Sequence, residues 1–395
     1  MINNKTISFY FHIPFCVRKC NYCDFLSAPA TEETKNAYMQ AMYAELEERG
    51  EEYGTYLVTS IFFGGGTPSV ADPVWIEKIL NYVKTHFPIY EKIEITMEVN
   101  PGTVNEEKLR RYKEAGVNRL SIGMQSANND LLKILGRIHT FEQFKETYEL
   151  ATKCGFDNVN VDIMGALPEQ TMEDYRTTIG KVVELNPAPK HISLYSLILE
   201  ENTVFYDWYE AGKMRQKGDS EDSEEAGAIL LPDEEMERAM YAEGNRLLKE
   251  AGYIHYEISN YAKEGYECRH NCGYWTRTNY LGFGIGAASM VENVRFSNTP
   301  DLMTYLNCPT MAVEERTVLG KKEQMEEFMF LGLRMMEGVS RQKFFDAFGT
   351  SMDEVYGKVI SKFMDEGLLE ERTDRLVLTD KGIDLDNYVS AGFLL

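Results

Sequence analysis

Nowhere in these 395 residues do apolar side chains run together for the roughly 20 positions that a membrane-spanning helix requires, so a spanning segment is not expected. Positive charge is also short. Against 63 Asp and Glu stand 41 Lys and Arg, a net charge of −22, and no local basic face stands out, which argues against nucleic acid as a partner. The opening Met1-Ile-Asn-Asn-Lys-Thr6 lacks the apolar centre of a secretory signal. Seven cysteines form an odd set without the pattern of a secreted disulfide framework. The expectation is a cytoplasmic, reducing setting in which cysteine serves metal. What is present suits a globular protein: 44% hydrophobic residues and a length sufficient for two or three domains.

Cys16, Cys20 and Cys23 follow the apolar run Ile7-Ser-Phe-Tyr-Phe-His-Ile13. Three thiolates spaced C-x3-C-x2-C in so short a loop can hold three corners of an iron-sulfur cube. Clusters of that size normally take four thiolates, so a trio leaves one iron open to an exchangeable ligand. A zinc site is the alternative. It would want four ligands, and only His12 or Asp24 lies near enough in sequence to complete it.

Over the first half, β-rich apolar runs alternate with amphipathic helical stretches, the pattern of βα units around a parallel sheet. Strands are expected over 6–12, 57–64, 93–99, 118–124, 158–164 and 190–197, with helices near 31–50, 72–85, 105–115, 141–154 and 171–185. Six such units imply an open or partial barrel. In parallel α/β folds ligands gather at the C-terminal strand ends. Those positions here hold Gly64-Gly65-Gly66-Thr67, Glu98 before Asn100-Pro101-Gly102, Gly123-Met-Gln125, and Asp162. Three consecutive glycines let backbone approach a ligand, or simply make a tight turn. A carboxylate at one strand end is often a cap or surface charge; polar side chains at successive ends converge on one mouth.

These motifs resemble the radical S-adenosylmethionine (SAM) superfamily, and within it the group containing anaerobic coproporphyrinogen III oxidase and the HemW haem chaperones. Tyr10-Phe-His-Ile-Pro-Phe-Cys16-Val-Arg-Lys-Cys20-Asn-Tyr-Cys23-Asp-Phe25 looks like the cluster loop of that group, and Gly64-Gly-Gly-Thr-Pro68 like its SAM-binding glycine segment. Further matches are Glu98-Val-Asn-Pro-Gly-Thr103, Arg119-Leu-Ser-Ile-Gly-Met-Gln-Ser126, Leu135-Gly-Arg-Ile-His139, Asp162 with Gly165-Ala-Leu-Pro168, and His191-Ile-Ser193. The resemblance implies a partial (β/α)6 barrel with a [4Fe-4S] cluster on Cys16, Cys20 and Cys23. It also implies SAM on the open iron, surrounded by Tyr10, Gly65, Gly66, Thr67, Glu98, Gln125, Arg137 and Asp162. The residues alone leave Arg137 as a solvated charge on a helical stretch.

Cys268-Arg-His270-Asn271-Cys272-Gly-Tyr274-Trp275 contains H-N-x-x-Y-W, which resembles the haem-binding motif of HemW chaperones, and Tyr256-Glu-Ile-Ser-Asn-Tyr261 fits the same relatives. By that likeness His270, Asn271, Tyr274 and Trp275 would meet haem, imidazole being a common iron ligand. Read alone, the six residues equally suit a buried histidine with packed aromatics. The related oxidases carry a further cysteine two positions after the third ligand, where this chain has Phe25, and an N-terminal extension not expected here. One departure runs the other way: Tyr280-Leu-Gly-Phe-Gly-Ile-Gly-Ala-Ala288 places alanine where relatives often have histidine. Cys154, Cys268, Cys272 and Cys308 read as small apolar residues.

The expected function is therefore a haem chaperone that passes haem to an acceptor protein, for example a membrane-associated respiratory enzyme. SAM cleavage is compatible with that function and coproporphyrinogen oxidation is not expected. The alternative is a radical enzyme performing oxidative decarboxylation of coproporphyrinogen III. The expected division is 1–232 for the radical SAM core, 233–309 for a connecting segment with the haem motif, and 310–395 for a mainly helical, winged-helix-like unit. Within the first, the acidic stretch Lys217-Gly-Asp-Ser-Glu-Asp-Ser-Glu-Glu-Ala-Gly227 is expected to be a mobile surface insertion. In the last, carboxylates outnumber Lys and Arg, which favours an interaction or lid role over DNA binding.

Overall fold

The computed structural model describes residues 5–217, 228–311 and 313–395, so the acidic stretch from 218 to 227 lies outside the described residues. Six strands pair in chain order, each parallel to the next: β1 (Thr6–Ile13), β2 (Leu57–Gly65), β3 (Ile89–Val99), β4 (Arg119–Gln125), β5 (Asn158–Gly165) and β6 (His191–Ser196). Parallel neighbours need crossovers. These are α1 (Glu32–Tyr53), α2 (Pro73–His86), α3 (Glu106–Ala115), the pair α4 (Asn129–Ile134) and α5 (Phe141–Lys153), and α6 (Met172–Val183).

The helices form where the spacing places them. In α2 the buried residues Ile76, Ile79, Leu80 and Val83 make one stripe behind the N-cap Asp72, whose side chain accepts from the Val74 N–H. α3 starts on Asn105 and stops at Gly116, held at φ +111° where a side chain would be strained. α5 and α6 open on capping boxes, Thr140 with Gln143 and Thr171 with Asp174. The six-residue α4 is an addition to the expected elements.

The sheet does not stop at six strands. Tyr280–Phe283 pairs in parallel with the outer side of β1, and Ala288–Val291, Val294–Asn298 and Val313–Val318 continue from it antiparallel. At the other edge Asn260–Ala262 adds antiparallel to β6, and Ile254–Glu257 adds antiparallel to Asn260–Ala262. Between these two edges in sequence lies the short helix Arg269–Trp275. The sheet is open, with no closed barrel among the described residues.

Residues beyond Val318 form a unit with its own core. The helix Lys321–Gly332 is followed by the strand Val339–Ser340, the helices Arg341–Phe348 and Met352–Asp365, and a hairpin of Leu369–Arg372 with Arg375–Leu378 turning at Thr373. Phe344, Phe348, Tyr356, Ile360 and Phe363 fill it. That order is winged-helix-like, as expected from the sequence. The unit is stitched to the sheet edge by backbone: the Ile258 N–H donates to the Arg334 carbonyl at 3.1 Å and the Met336 N–H to the Tyr256 carbonyl at 3.0 Å. Among the described residues no helix is long and apolar enough to cross a membrane.

Candidate functional site

The C-terminal ends of all six parallel strands contribute to one cavity of about 320 Å³. The loop after β1 supplies Cys16, Cys20 and Cys23; β2 and the turn that follows it supply Gly65, Gly66 and Thr67; β3, β4 and β5 supply Glu98, Gln125 and Asp162; and β6 supplies Tyr195. Arg137 enters from the segment after α4. Tyr10 does not line this cavity. Its hydroxyl lies 3.1 Å from His12 Nδ1, and its ring faces Phe62 and His270 deeper in the sheet's interior.

The cysteine loop is pinned at both ends. The Cys16 N–H donates to the Ala28 carbonyl at 3.2 Å and the Ala28 N–H to the Pro14 carbonyl at 2.9 Å. Asn21 ties its middle to the Arg137 segment, through its N–H to the Leu135 carbonyl at 2.9 Å and its Nδ2 to the Ile134 carbonyl at 2.8 Å. The thiols already have cationic and polar neighbours: the Thr67 hydroxyl donates to Cys16 Sγ at 3.4 Å, and Arg137 Nη1 to Cys20 Sγ at 3.6 Å. Burial pushes the Cys23 thiol up to about 11, so ligation there must displace a proton. Among the described residues no His, Cys, Asp and Glu side chains are gathered as the ligand set of a single metal ion. Thiols that bind separate corners of a cube stand further apart than ligands of one ion.

The glycines have individual reasons. Gly65 sits at φ +115°, and a Cβ there would lie 2.7 Å from the His12 ring. At Gly66 a Cβ would come within 2.8 Å of the Phe15 carbonyl oxygen and 3.0 Å of Cys16 Sγ, so the strand can pass this close to the loop only without a side chain.

The polar walls are acidic on one side and cationic on the other. Glu98 Oε2 accepts the Gly65 N–H at 3.2 Å, yet burial and then the neighbouring Asp162 push its carboxyl up to about 8. Asp162 is raised too, mainly by burial, although Asn160 Nδ2 donates to its Oδ1 at 2.6 Å. Two carboxyls held toward neutrality in one cavity favour a cationic ligand. Opposite them, Arg137 Nη2 donates to the Gly123 carbonyl at 2.5 Å and to Asn100 Oδ1 at 2.9 Å, while its Nε is buried without a partner. Arg137 is thus half-buried against the cavity, not a solvated helix charge. The thiol trio, the side-chain-free approach at Gly66, the carboxyl pair and the orphaned Arg137 Nε together fit an iron-sulfur cluster bearing an amino acid-derived cation.

Two contributors had no role assigned from the sequence: Asn100, noted only in the turn after β3, and Tyr195. Asn100 bridges the walls, donating from Nδ2 to Thr67 Oγ1 at 2.7 Å while accepting from Arg137. Tyr195 donates to Gln125 Oε1 at 3.1 Å, and Gln125 holds φ +71°, a strained conformation for a residue with a side chain. Strand alternation was the available signal for Tyr195, since it shares a face of β6 with Ser193.

The His270 segment lies elsewhere. It meets Ser60, Glu94 and Tyr256, and these lie with Asn160 and His191 toward the N-terminal ends of the parallel strands, opposite the cavity. His270 is 2% exposed; its Nδ1 is 2.9 Å from Ser60 Oγ and its Nε2 is 3.0 Å from the Tyr274 hydroxyl. Burial, then Arg119, push its imidazole down to about 3, so it is neutral. Trp275 turns the other way, with Arg334 of the C-terminal unit 4.5 Å from its ring. Asn271 is half-buried beside them.

Residues 10–182 match the Radical SAM superfamily, and residues 319–385 match the HemN C-terminal domain. The chain is similar to proteins named "Heme chaperone HemW". It is 37% identical over 392 residues to that of Lactococcus lactis, covering 99% of this chain and 98% of the relative. To that of Escherichia coli it is 33% identical over 389 residues, covering 97% and 96%. Among solved structures it is similar to the radical SAM enzyme coproporphyrinogen III oxidase (HemN) of Escherichia coli, with a TM-score of 0.83 at 21% identity over 99% of this chain and 90% of the other. That last likeness is one of fold.

Proposed function

The chain belongs to the HemW family of haem chaperones, and from that premise we propose that it binds haem and hands it to an acceptor protein while carrying a [4Fe-4S] cluster and SAM. The observation that carries this reading is the full-length likeness to haem chaperones, which takes in the cysteine loop, the helix Arg269–Trp275 and the C-terminal unit alike. Cys16, Cys20 and Cys23 hold the cluster. Gly65, Gly66, Thr67, Glu98, Gln125, Arg137 and Asp162 enclose SAM, with Glu98 and Asp162 accepting from its ammonium and ribose hydroxyls and Arg137 meeting its carboxylate. Tyr10 supports this wall from beneath.

When bound, the cluster and SAM supply one-electron chemistry that side chains cannot perform. The protein's own contribution is to hold them at the strand ends under Gly66 and to keep His270 as a neutral imidazole on a short helix. Haem meets His270 with Asn271 and Tyr274 beside it, Trp275 of the same motif facing Arg334 instead, and the protein works in the cytoplasm, facing a membrane-associated respiratory acceptor.

The test is a haem titration of the anaerobically cluster-loaded protein with a coproporphyrinogen assay on the same sample. One haem bound per chain with coproporphyrinogen unchanged is expected. Conversion of coproporphyrinogen over many turnovers would replace the chaperone reading with that of a tetrapyrrole-modifying enzyme.

A further inference from the structure

A line of hydrogen bonds joins the strand-end cavity to the helix that bears His270, and its direction is set by its ends. The Cys268 N–H can only donate, and it meets the Tyr256 oxygen at 3.2 Å. At the other end Asn160 Nδ2 can only donate, and it gives to Asp162 Oδ1 at 2.6 Å. Between them, Asn160 Oδ1 lies 2.6 Å from His191 Nδ1, and His191 Nε2 lies 2.7 Å from the Tyr256 hydroxyl. An amide oxygen accepts, so Nδ1 carries the imidazole proton. Burial keeps the ring neutral, with one proton only, so Nε2 accepts from the Tyr256 hydroxyl. Every donor in the line points toward Asp162.

A second feature runs beside it. Arg119 is 2% exposed, its Nε has no partner, and it interacts electrostatically with Asp162 at one end and with Glu94 and Cys268 at the other. Glu94 in turn accepts the N–H groups of Arg269 at 3.1 Å and His270 at 3.2 Å, so the first turn of the helix hangs on these same groups. Hydrogen bonds linked head to tail polarise one another. A stronger acceptor at Asp162 therefore strengthens each link back to Cys268.

We propose that Tyr256 and His191 are positioning residues that transmit the state of Asp162 to the start of the helix Arg269–Trp275, so that a cationic sulfonium ligand in the strand-end cavity tightens the hold on the segment presenting His270. This rests on the reading of that cavity as the SAM site. SAM occupancy and haem carriage are then linked through the interior of the sheet.

Hydrogen-deuterium exchange on the full-length, cluster-loaded protein with and without SAM tests it, with SAM binding followed by equilibrium dialysis and haem binding by titration. In the unmodified protein SAM slows exchange across residues 268–275 by about five-fold or more. Tyr256→Phe keeps the ring, binds SAM and loses the slowing; His191→Gln gives the same loss at a second position. Tyr253→Phe removes a buried hydroxyl off the line, one bonded to the Pro189 carbonyl at 2.6 Å, and keeps the slowing. No SAM effect in the unmodified protein, or an undiminished effect in Tyr256→Phe, overturns the proposal. A protein that shows the effect but takes up no haem keeps this link and loses the chaperone reading; the reverse result does the opposite. Failure of SAM to bind the unmodified protein removes both the cavity assignment and the link.

Discussion

His270 and Tyr274 face each other one helical turn apart, with imidazole Nε2 and phenol oxygen separated by 3.0 Å. Because Nδ1 is taken by Ser60 at 2.9 Å, both nitrogens of this neutral ring are engaged within the interior. Ligation of haem iron by His270 must break one of these bonds, and the Tyr274 bond is the one that a motif residue controls. Tyr274→Phe is expected to speed haem association by about 2- to 10-fold, the equivalent of one net hydrogen bond of about 0.5–1.5 kcal/mol. Stopped-flow absorbance in the Soret band reads it, and an unchanged rate means that the Tyr274 bond is not what opens. His270→Ala is expected to weaken haem binding while leaving iron and sulfide content intact. Unaltered titration in that variant rejects His270 as the ligand.

The carboxyl of Glu98 predicts a pH dependence with a definite sign. Its ordinary value is 4.5, and burial followed by the nearby Asp162 raises it to about 8 in the fold. Below 4.5 both folded and unfolded chains hold the proton, and the group costs nothing. As pH rises from 4.5 toward 8 the unfolded chain releases the proton and the fold retains it, so stability falls, by on the order of 5 kcal/mol at completion, and then levels off. Glu98→Gln should flatten that decline in the ligand-free protein and raise the melting temperature at pH 8 relative to the unmodified chain. The same variant should weaken SAM binding. In the unmodified chain SAM affinity should climb with pH and plateau near 8, because a cation binds best to the ionised carboxyl; calorimetry in buffers of different ionisation enthalpy would detect the proton released. A flat affinity profile would remove Glu98 from the binding step.

The six parallel strands and the helices between them were legible because short β-rich apolar runs, buried along nearly their whole length as in β1, β4 and β5, alternate with helices whose burial is periodic, as in the stripe of Ile76, Ile79, Leu80 and Val83 in α2. The cavity was legible because its residues sit at strand ends next to distinctive chemistry, three thiols and three glycines. Asn100, seen only as part of the turn after Glu98, and Tyr195 had no legible role, since a single polar side chain carries no pattern and its role appears only once Thr67, Arg137 and Gln125 surround it. Nor could spacing reveal that the His270 helix lies at the end of the strands opposite the cavity. That placement depends on Tyr280–Phe283 joining β1 across more than half the chain, a nonlocal pairing with no local signature. α4, at six residues, is too short to display a stripe.

Gly66 offers a test of how tightly the cysteine loop is fitted. A methyl group at this position would press on the Phe15 carbonyl at 2.8 Å and on Cys16 Sγ at 3.0 Å, both on the short segment that β2 crosses. The backbone oxygen cannot swing away as a side-chain tip could, so the loop must move, at a cost of about 1–3 kcal/mol. Gly66→Ala is therefore expected to fold and to reconstitute with less iron and sulfide than the unmodified protein, as read by metal analysis and visible absorbance. Full cluster content in this variant would mean that the loop shifts freely, and the close approach would then have no bearing on cluster loading.

Glu327 joins the C-terminal unit to the sheet extension with a charge that two arginines share. On the helix Lys321–Gly332, its side chain is 6% exposed and accepts from Arg277 Nε at 3.0 Å and from Arg295 Nη2 at 2.8 Å. Arg277 is nearly as buried and also donates to Asn293 Oδ1 at 3.0 Å, so it cannot turn to solvent without giving up that bond. Glu327→Gln keeps the size and removes the charge, leaving Arg277 poorly compensated. Arg295 reaches water and can re-solvate, which places the expected loss at about 2–3 kcal/mol, below the roughly 3–5 kcal/mol of a fully buried pair that is broken. The effect should be local before it is global. The same unit presses Arg334 against Trp275 at 4.5 Å, so loosening it should red-shift tryptophan emission and open the connection near residue 320 to limited proteolysis at temperatures where the six-stranded core is still folded. If the variant melts in one step with no early emission change, the two units unfold together and the Glu327 contact is part of a single cooperative structure.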